Sequence, residues 1–164
     1  MIFEEAISKM QSAVGMRKDK FDEYGFVTSI ETDYMNAMYK TVDDPKKAKF
    51  VTVSLVIGKQ DGKAGDEYCM SLGAQITHRS IDDARLEQDI LNFEKMVSEA
   101  IEILEKYDSK DDGLDFLTAK ASEEYEKFLK KMEEERAKSR RIALIGNIVF
   151  IVGITMLFIV AFLK

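Results

Sequence analysis

The chain has 164 residues, 24 basic and 30 acidic side chains, a formal net charge of −6, and 46% apolar against 33% charged residues. That balance excludes a wholly disordered chain and a collagen, and one cysteine excludes a disulfide scaffold. The average conceals an uneven distribution, because the last tenth of the sequence is almost wholly apolar.

Residues 2–18 place Ile2, Phe3, Ala6, Ile7, Met10 and Val14 at helical spacing, which predicts an amphipathic first helix. Gly25 closes the polar stretch that follows. Residues 26–34 alternate in part, with Phe26, Ile30 and Tyr34 opposite Glu31 and Asp33, and predict a strand. Asp43-Asp44-Pro45 reads as a turn.

Two clearer alternating runs come next. Residues 50–57 set Val51, Val53, Leu55 and Ile57 against Thr52 and Ser54. Residues 67–77 set Tyr68, Met70, Leu72, Ala74 and Ile76 against Glu67, Ser71, Gln75 and Thr77. Joined by the polar loop GKQDGKAGD, they predict an antiparallel hairpin with one dry and one wet face.

Ser80, followed by Asp82 and Asp83, reads as a helix start. Leu86, Ile90, Phe93, Val97, Ala100, Leu104 and Tyr107 then recur by fours and threes, as expected of a helix covering the hairpin's dry face. The same spacing would also suit a coiled coil. The run Asp108 to Gly113 is expected to break the helix and mark a domain boundary. It is no calcium loop, since its third position is Lys110 and its twelfth is Ala119 where a glutamate is needed. A last helix is read from Leu114 through Leu117, Ala121, Tyr125, Phe128 and Met132 towards residue 141, about 42 Å at the usual rise.

From Ile142 to Leu163 there are 22 residues without a charge. As a helix they reach about 33 Å, enough for a hydrocarbon core of about 30 Å. The flank before them holds Arg136, Lys138, Arg140 and Arg141 with no acid, and only Lys164 follows. Basic flanks stay cytoplasmic, so residues 1–141 are expected in the cytoplasm and Lys164 on the far side, a tail-anchored arrangement. The four basic residues are placed to contact anionic lipid headgroups. Gly146, Phe150 and Gly153 share one face of the span and are candidates for helix–helix contact.

Tests for chemistry give nothing definite. One histidine, His78, and one cysteine, Cys69, are too few for a usual zinc site. Gly58, Gly62 and Gly65 join two strands, whereas a phosphate-cradling loop leads into a helix. Residues 80–135 carry 18 acids against 8 bases, which argues against nucleic acid as a partner.

The expected fold class is α+β. A small three-stranded antiparallel sheet packs with helices in residues 1–112, a charged stalk helix follows at 113–141, and a transmembrane helix at 142–163. The expected function is a tail-anchored, single-pass membrane protein whose cytoplasmic domain is a protein-interaction or scaffolding module. Two alternatives stand beside it. One is a homo-oligomeric membrane component assembled through stalk and span. The other is a membrane-bound enzyme or ligand-binding domain, for which a polar pocket near His78, Cys69 and Glu67 would speak. Expected partners are membrane lipids and a protein, with no cofactor or metal.

Overall fold

The computed structural model describes the backbone of residues 1–36, 40–60, 62 and 67–162, and the side chains of those residues through 140 and at Ile142. Two compact units divide it, Met1–Lys120 and Ala121–Lys164.

The first unit is α+β. Helix α1 spans Phe3–Glu23, and the strands β1 (Val27–Met35), β2 (Phe50–Gly58) and β3 (Glu67–Gln75) follow it. Helix α2 is Asp83–Leu104, and helix α3 begins at Lys110 and extends into the second unit, to Phe162. The strands form an antiparallel meander in the order β1-β2-β3. Ile30 pairs with Leu55, and Leu55 with Met70, so one sheet face is drawn from even positions of β1 and β3 and odd positions of β2. This face is dry. Val51, Val53, Leu55 and Ile57 have no exposed surface, and Met70 and Leu72 are 2% exposed. The apolar sides of α1 (Ala6, Met10, Val14, Phe21) and α2 (Leu86, Phe93, Val97, Leu104) lie in the same core. The heptad-like spacing of α2 therefore serves burial in its own domain.

Helix α1 runs five residues past the sequence expectation because Phe21, one turn and more beyond Val14, is fully buried and carries the apolar stripe through the polar stretch. It ends in a Schellman motif. Gly25 stands at φ +82°, its N–H donates to the Asp22 carbonyl at 2.9 Å, and the Phe26 N–H to the Phe21 carbonyl at 3.3 Å. Phe26, expected in the strand, is instead the buried residue that follows this cap. Strand β1 is an edge, and most of it is exposed or half-buried.

Three local expectations are corrected. Ser80 does not cap α2: its hydroxyl donates to the Thr77 carbonyl at 2.7 Å, closing a turn. The cap is Asp82, whose carboxylate accepts the Arg85 N–H at 3.1 Å. Tyr107 falls beyond the end of α2. Gly113 does not break a helix but lies inside α3, where Leu114 and Leu117 join the core. The chain turns earlier, at Glu105–Ser109, and the Ser109 hydroxyl accepts the Asp112 N–H at 3.4 Å. Gly113 lets the end of α2 approach closely. A Cβ there would stand 3.0 Å from Leu104 Cδ2 and 3.5 Å from both Leu104 Cα and Tyr107 Cβ.

Gly113→Val is therefore expected to lower unfolding free energy by about 1–3 kcal/mol through overpacking. Gly113→Ala should stay within about 1 kcal/mol of the parent, since better helix propensity offsets the contact. Urea unfolding of the two variants checks this, and an unchanged midpoint for the valine variant would refute the close approach.

Candidate functional site

The residues expected to carry function lie in three places. Arg136, Lys138 and Arg140 are exposed on α3. The side chains of Arg141 and of the span 142–163 beyond Ile142, Gly146, Phe150 and Gly153 among them, lie outside the described residues. Among the described residues, no helix is long and apolar enough to cross a membrane.

His78 and Cys69 do not meet. His78 is exposed in a tight turn, Thr77–Ser80, in which it stands at φ 50° and Arg79 at φ 65°. Such left-handed pairs define the type I′ turn and favour glycine or asparagine, so other contacts must hold this one. Arg79 supplies them. Its guanidinium lies 4.1 Å from the Phe3 ring centroid, donates to the Pro45 carbonyl at 3.1 Å, and pairs with Glu4 at 3.4 Å. Sequence reasoning passed over this arginine, and the Gly-less reversal between a strand and a helix was the available signal. Cys69 is exposed on the sheet face turned away from the helices, with its Sγ 3.7 Å from Ser71 Oγ. On that face Ser71 also shares a 2.8 Å bond with Ser54, which is almost fully buried. Glu67 opens β3 whereas His78 follows its end, so roughly 26 Å of extended strand separates their positions.

Two grooves flank α2. One, of about 350 Å3, lies beside the His78 turn and is lined by Gln75, Thr77, Asp82, Arg85 and Asp89 among others. Among its described lining residues the one cation, Arg85, faces Asp89 at 3.9 Å. The other, of about 530 Å3, runs between α1 and α2 over Ala13, Met16 and Ile90. Ion pairs bridge these helices: Lys9 with Glu87 at 3.2 Å, and Arg17 with Glu94. Among the described residues, no three His, Cys, Asp or Glu side chains are grouped to hold a metal ion.

The most unusual surface is on α3 in the second unit. Tyr125 is 62% exposed, Phe128 55% and Leu129 43%. Sequence spacing identified Tyr125 and Phe128 but missed Leu129, which widens the apolar stripe beside Phe128. On the opposite side of the helix, Lys127 pairs with Glu123 at 2.6 Å, an attraction that holds the Glu123 carboxyl below its ordinary value.

Compared with known proteins, the chain matches no family model, no curated protein and no solved structure.

One electrostatic contact ties α1 to β1. Asp22 accepts hydrogen bonds from the Lys18 ammonium and the Thr28 hydroxyl, and these two, in that order, hold its carboxyl below the usual aspartate value. Its folded value lies below its unfolded one, so its contribution is complete above the unfolded value and disappears as pH falls through the folded one. The difference in stability between the parent and Asp22→Asn should therefore hold above about pH 5 and shrink as pH falls below about 4. Urea titrations across that range check it, and a constant difference would refute the assignment.

Proposed function

We propose that the chain is a single-pass membrane protein whose α+β domain is an interaction module on the cytoplasmic side. The observation that carries this reading is the sequence of residues 136–163: four bases within six residues, then 22 residues without a charge. A helix of that composition inserts because each apolar side chain favours hydrocarbon while its backbone groups bond within the helix. Arg136, Lys138, Arg140 and Arg141 hold the preceding segment on the cytoplasmic side and contact anionic headgroups, each contributing about 1 kcal/mol. Gly146, Phe150 and Gly153 would form a face for helix contact within the bilayer.

The interaction reading draws support from surfaces. The sheet presents one face to helices and the other to solvent, with Val27 54% exposed on the solvent side. The groove between α1 and α2 has an apolar floor of Ala13, Met16 and Ile90 with charged walls. Both are features that a protein partner can cover.

Membranes from cells making the full chain test the anchor. The parent is expected to stay in the pellet after alkaline carbonate washing. A Val152→Asp, Ile154→Asp double variant should be extracted, since each acid costs about 3 kcal/mol at the centre of a span. A parent that washes off would overturn the reading. Replacing Arg136, Lys138, Arg140 and Arg141 together by glutamine should give mixed orientation by protease protection; one unchanged orientation would remove these four as its determinant.

A further inference from the structure

We propose that the outer edge of β3 takes up one extended segment of a partner protein, which joins the sheet as a fourth strand beneath the overhang of α2. This rests on the interaction reading, whose surface and partner it names, and is independent of the anchor.

The two edges of the sheet are unlike. Edges of natural sheets are guarded by charges, proline, bulges or covering chain. Strand β1 carries exposed Glu31 and Asp33, and its end is covered by Val42, whose N–H donates to the Tyr34 carbonyl at 2.8 Å. Strand β3 has one charged residue, Glu67, and neither lysine nor proline. It pairs with β2 residue for residue, without a bulge. The Ile76 N–H donates to the Lys49 carbonyl at 2.8 Å, which sets the phase of the ladder. The backbone groups of Met70, Leu72 and Ala74 therefore point to β2, and those of Cys69, Ser71 and Gly73 point outward. Among the described residues no backbone hydrogen bond satisfies these outward groups.

The helices leave room for one more strand. Two helices about 10 Å across roof about 20 Å, whereas three strands about 4.8 Å apart floor only about 14 Å. Helix α1 packs on β1 and β2, and α2 on β3, so the unsupported width falls on the outer side of α2. The groove of about 350 Å3 between Gln75 and Asp89 is one end of that recess. Along the same side of α2, Met96 and Ile103 share a strip about 40° wide with Arg85 and Asp89. Met96 is 40% exposed there, with nothing beneath it among the described residues.

The recess also selects its occupant. Outward N–H and C=O groups at every second residue are matched by an extended backbone, the mode of strand addition. A second copy's β3 does not fit: two-fold antiparallel pairing sets both dry faces on one side, and the two overhanging helices would claim the same space. A single segment fits when its alternate side chains are apolar, to meet Met96 and Ile103. Those between them lie beside Cys69, Ser71 and Gly73 on the wet face and are small or polar. Asp82 and Asp89 against Arg85 favour a basic side chain at the Gln75 end.

Selection from a phage-displayed library of random peptides, each nine residues long like β3, tests this on the full chain in mild detergent. Enriched peptides are expected to alternate apolar and polar residues. Cys69→Pro removes an outward N–H without touching the ladder to β2, and Met96→Glu places a charge under the roof. Each should weaken binding of an enriched peptide about tenfold or more, whereas Met16→Glu, in the groove between α1 and α2, should leave it unchanged. Met96 is exposed, so its variant carries the test if the proline variant fails to fold. Bound peptide should also slow amide exchange in residues 67–75 about tenfold. Peptides that bind the parent and both edge variants equally, without slowing that exchange, would overturn strand addition and leave the interaction reading standing. A library that yields no enriched peptide would overturn both.

Discussion

The central strand β2 carries four side chains, Val51, Val53, Leu55 and Ile57, with no exposed surface at all. Each contributes about 1.5–3 kcal/mol only while water is kept away. A three-stranded sheet cannot bury its own face, so two helices must lie across it and must stay together. The constraint reaches far along the chain. It explains why α1 continues to Phe21 and why α2 repeats its apolar positions for six turns. It also gives a purpose to Lys9–Glu87 and Arg17–Glu94, the ion pairs that join the two helices at their outer edges.

Much of this was legible in the sequence because the sheet has two unlike faces. Alternation in residues 50–57 and 67–75 follows from one dry and one wet side, and the observed burial of β3 alternates residue by residue from Met70 to Gln75. What escaped notice depended on contacts between distant residues. Gly113 resembles a helix breaker in isolation, yet it lies inside α3, where Leu104 and Tyr107 approach so closely that a Cβ would have to displace the end of the Leu104 side chain. Ser80 has the composition of a cap, but its hydroxyl is engaged by Thr77, which leaves the role to Asp82. The end of α1 reads as polar because its last apolar residue, Phe21, is isolated among charges. Local propensity cannot tell that such a residue lies over a core.

For the functional surfaces the balance is different. Residues 136–163 state their physical character in composition alone, and their bases and apolar run need no tertiary context to be read. The stripe on α3 is half legible: its spacing can be seen in the sequence, whereas the exposure of Tyr125 and Phe128 is a property of the folded chain. Arg79 lay wholly outside sequence reasoning, since its three contacts come from residues 75 and 34 positions away and from a ring at Phe3.

The meander has a kinetic consequence. Hairpins between neighbouring strands close short loops, with Ser54 and Ser71 only 17 residues apart, whereas the pairs joining α1 to α2 span 77 and 78. Closing a longer loop costs more chain entropy, and contacts distant in sequence form late. The strands can therefore meet before the helical layer is complete, and the first helix to be synthesised waits for one that is made much later. In that interval the apolar side of the sheet is bare, and this intermediate, rather than the finished fold, is the species most exposed to aggregation.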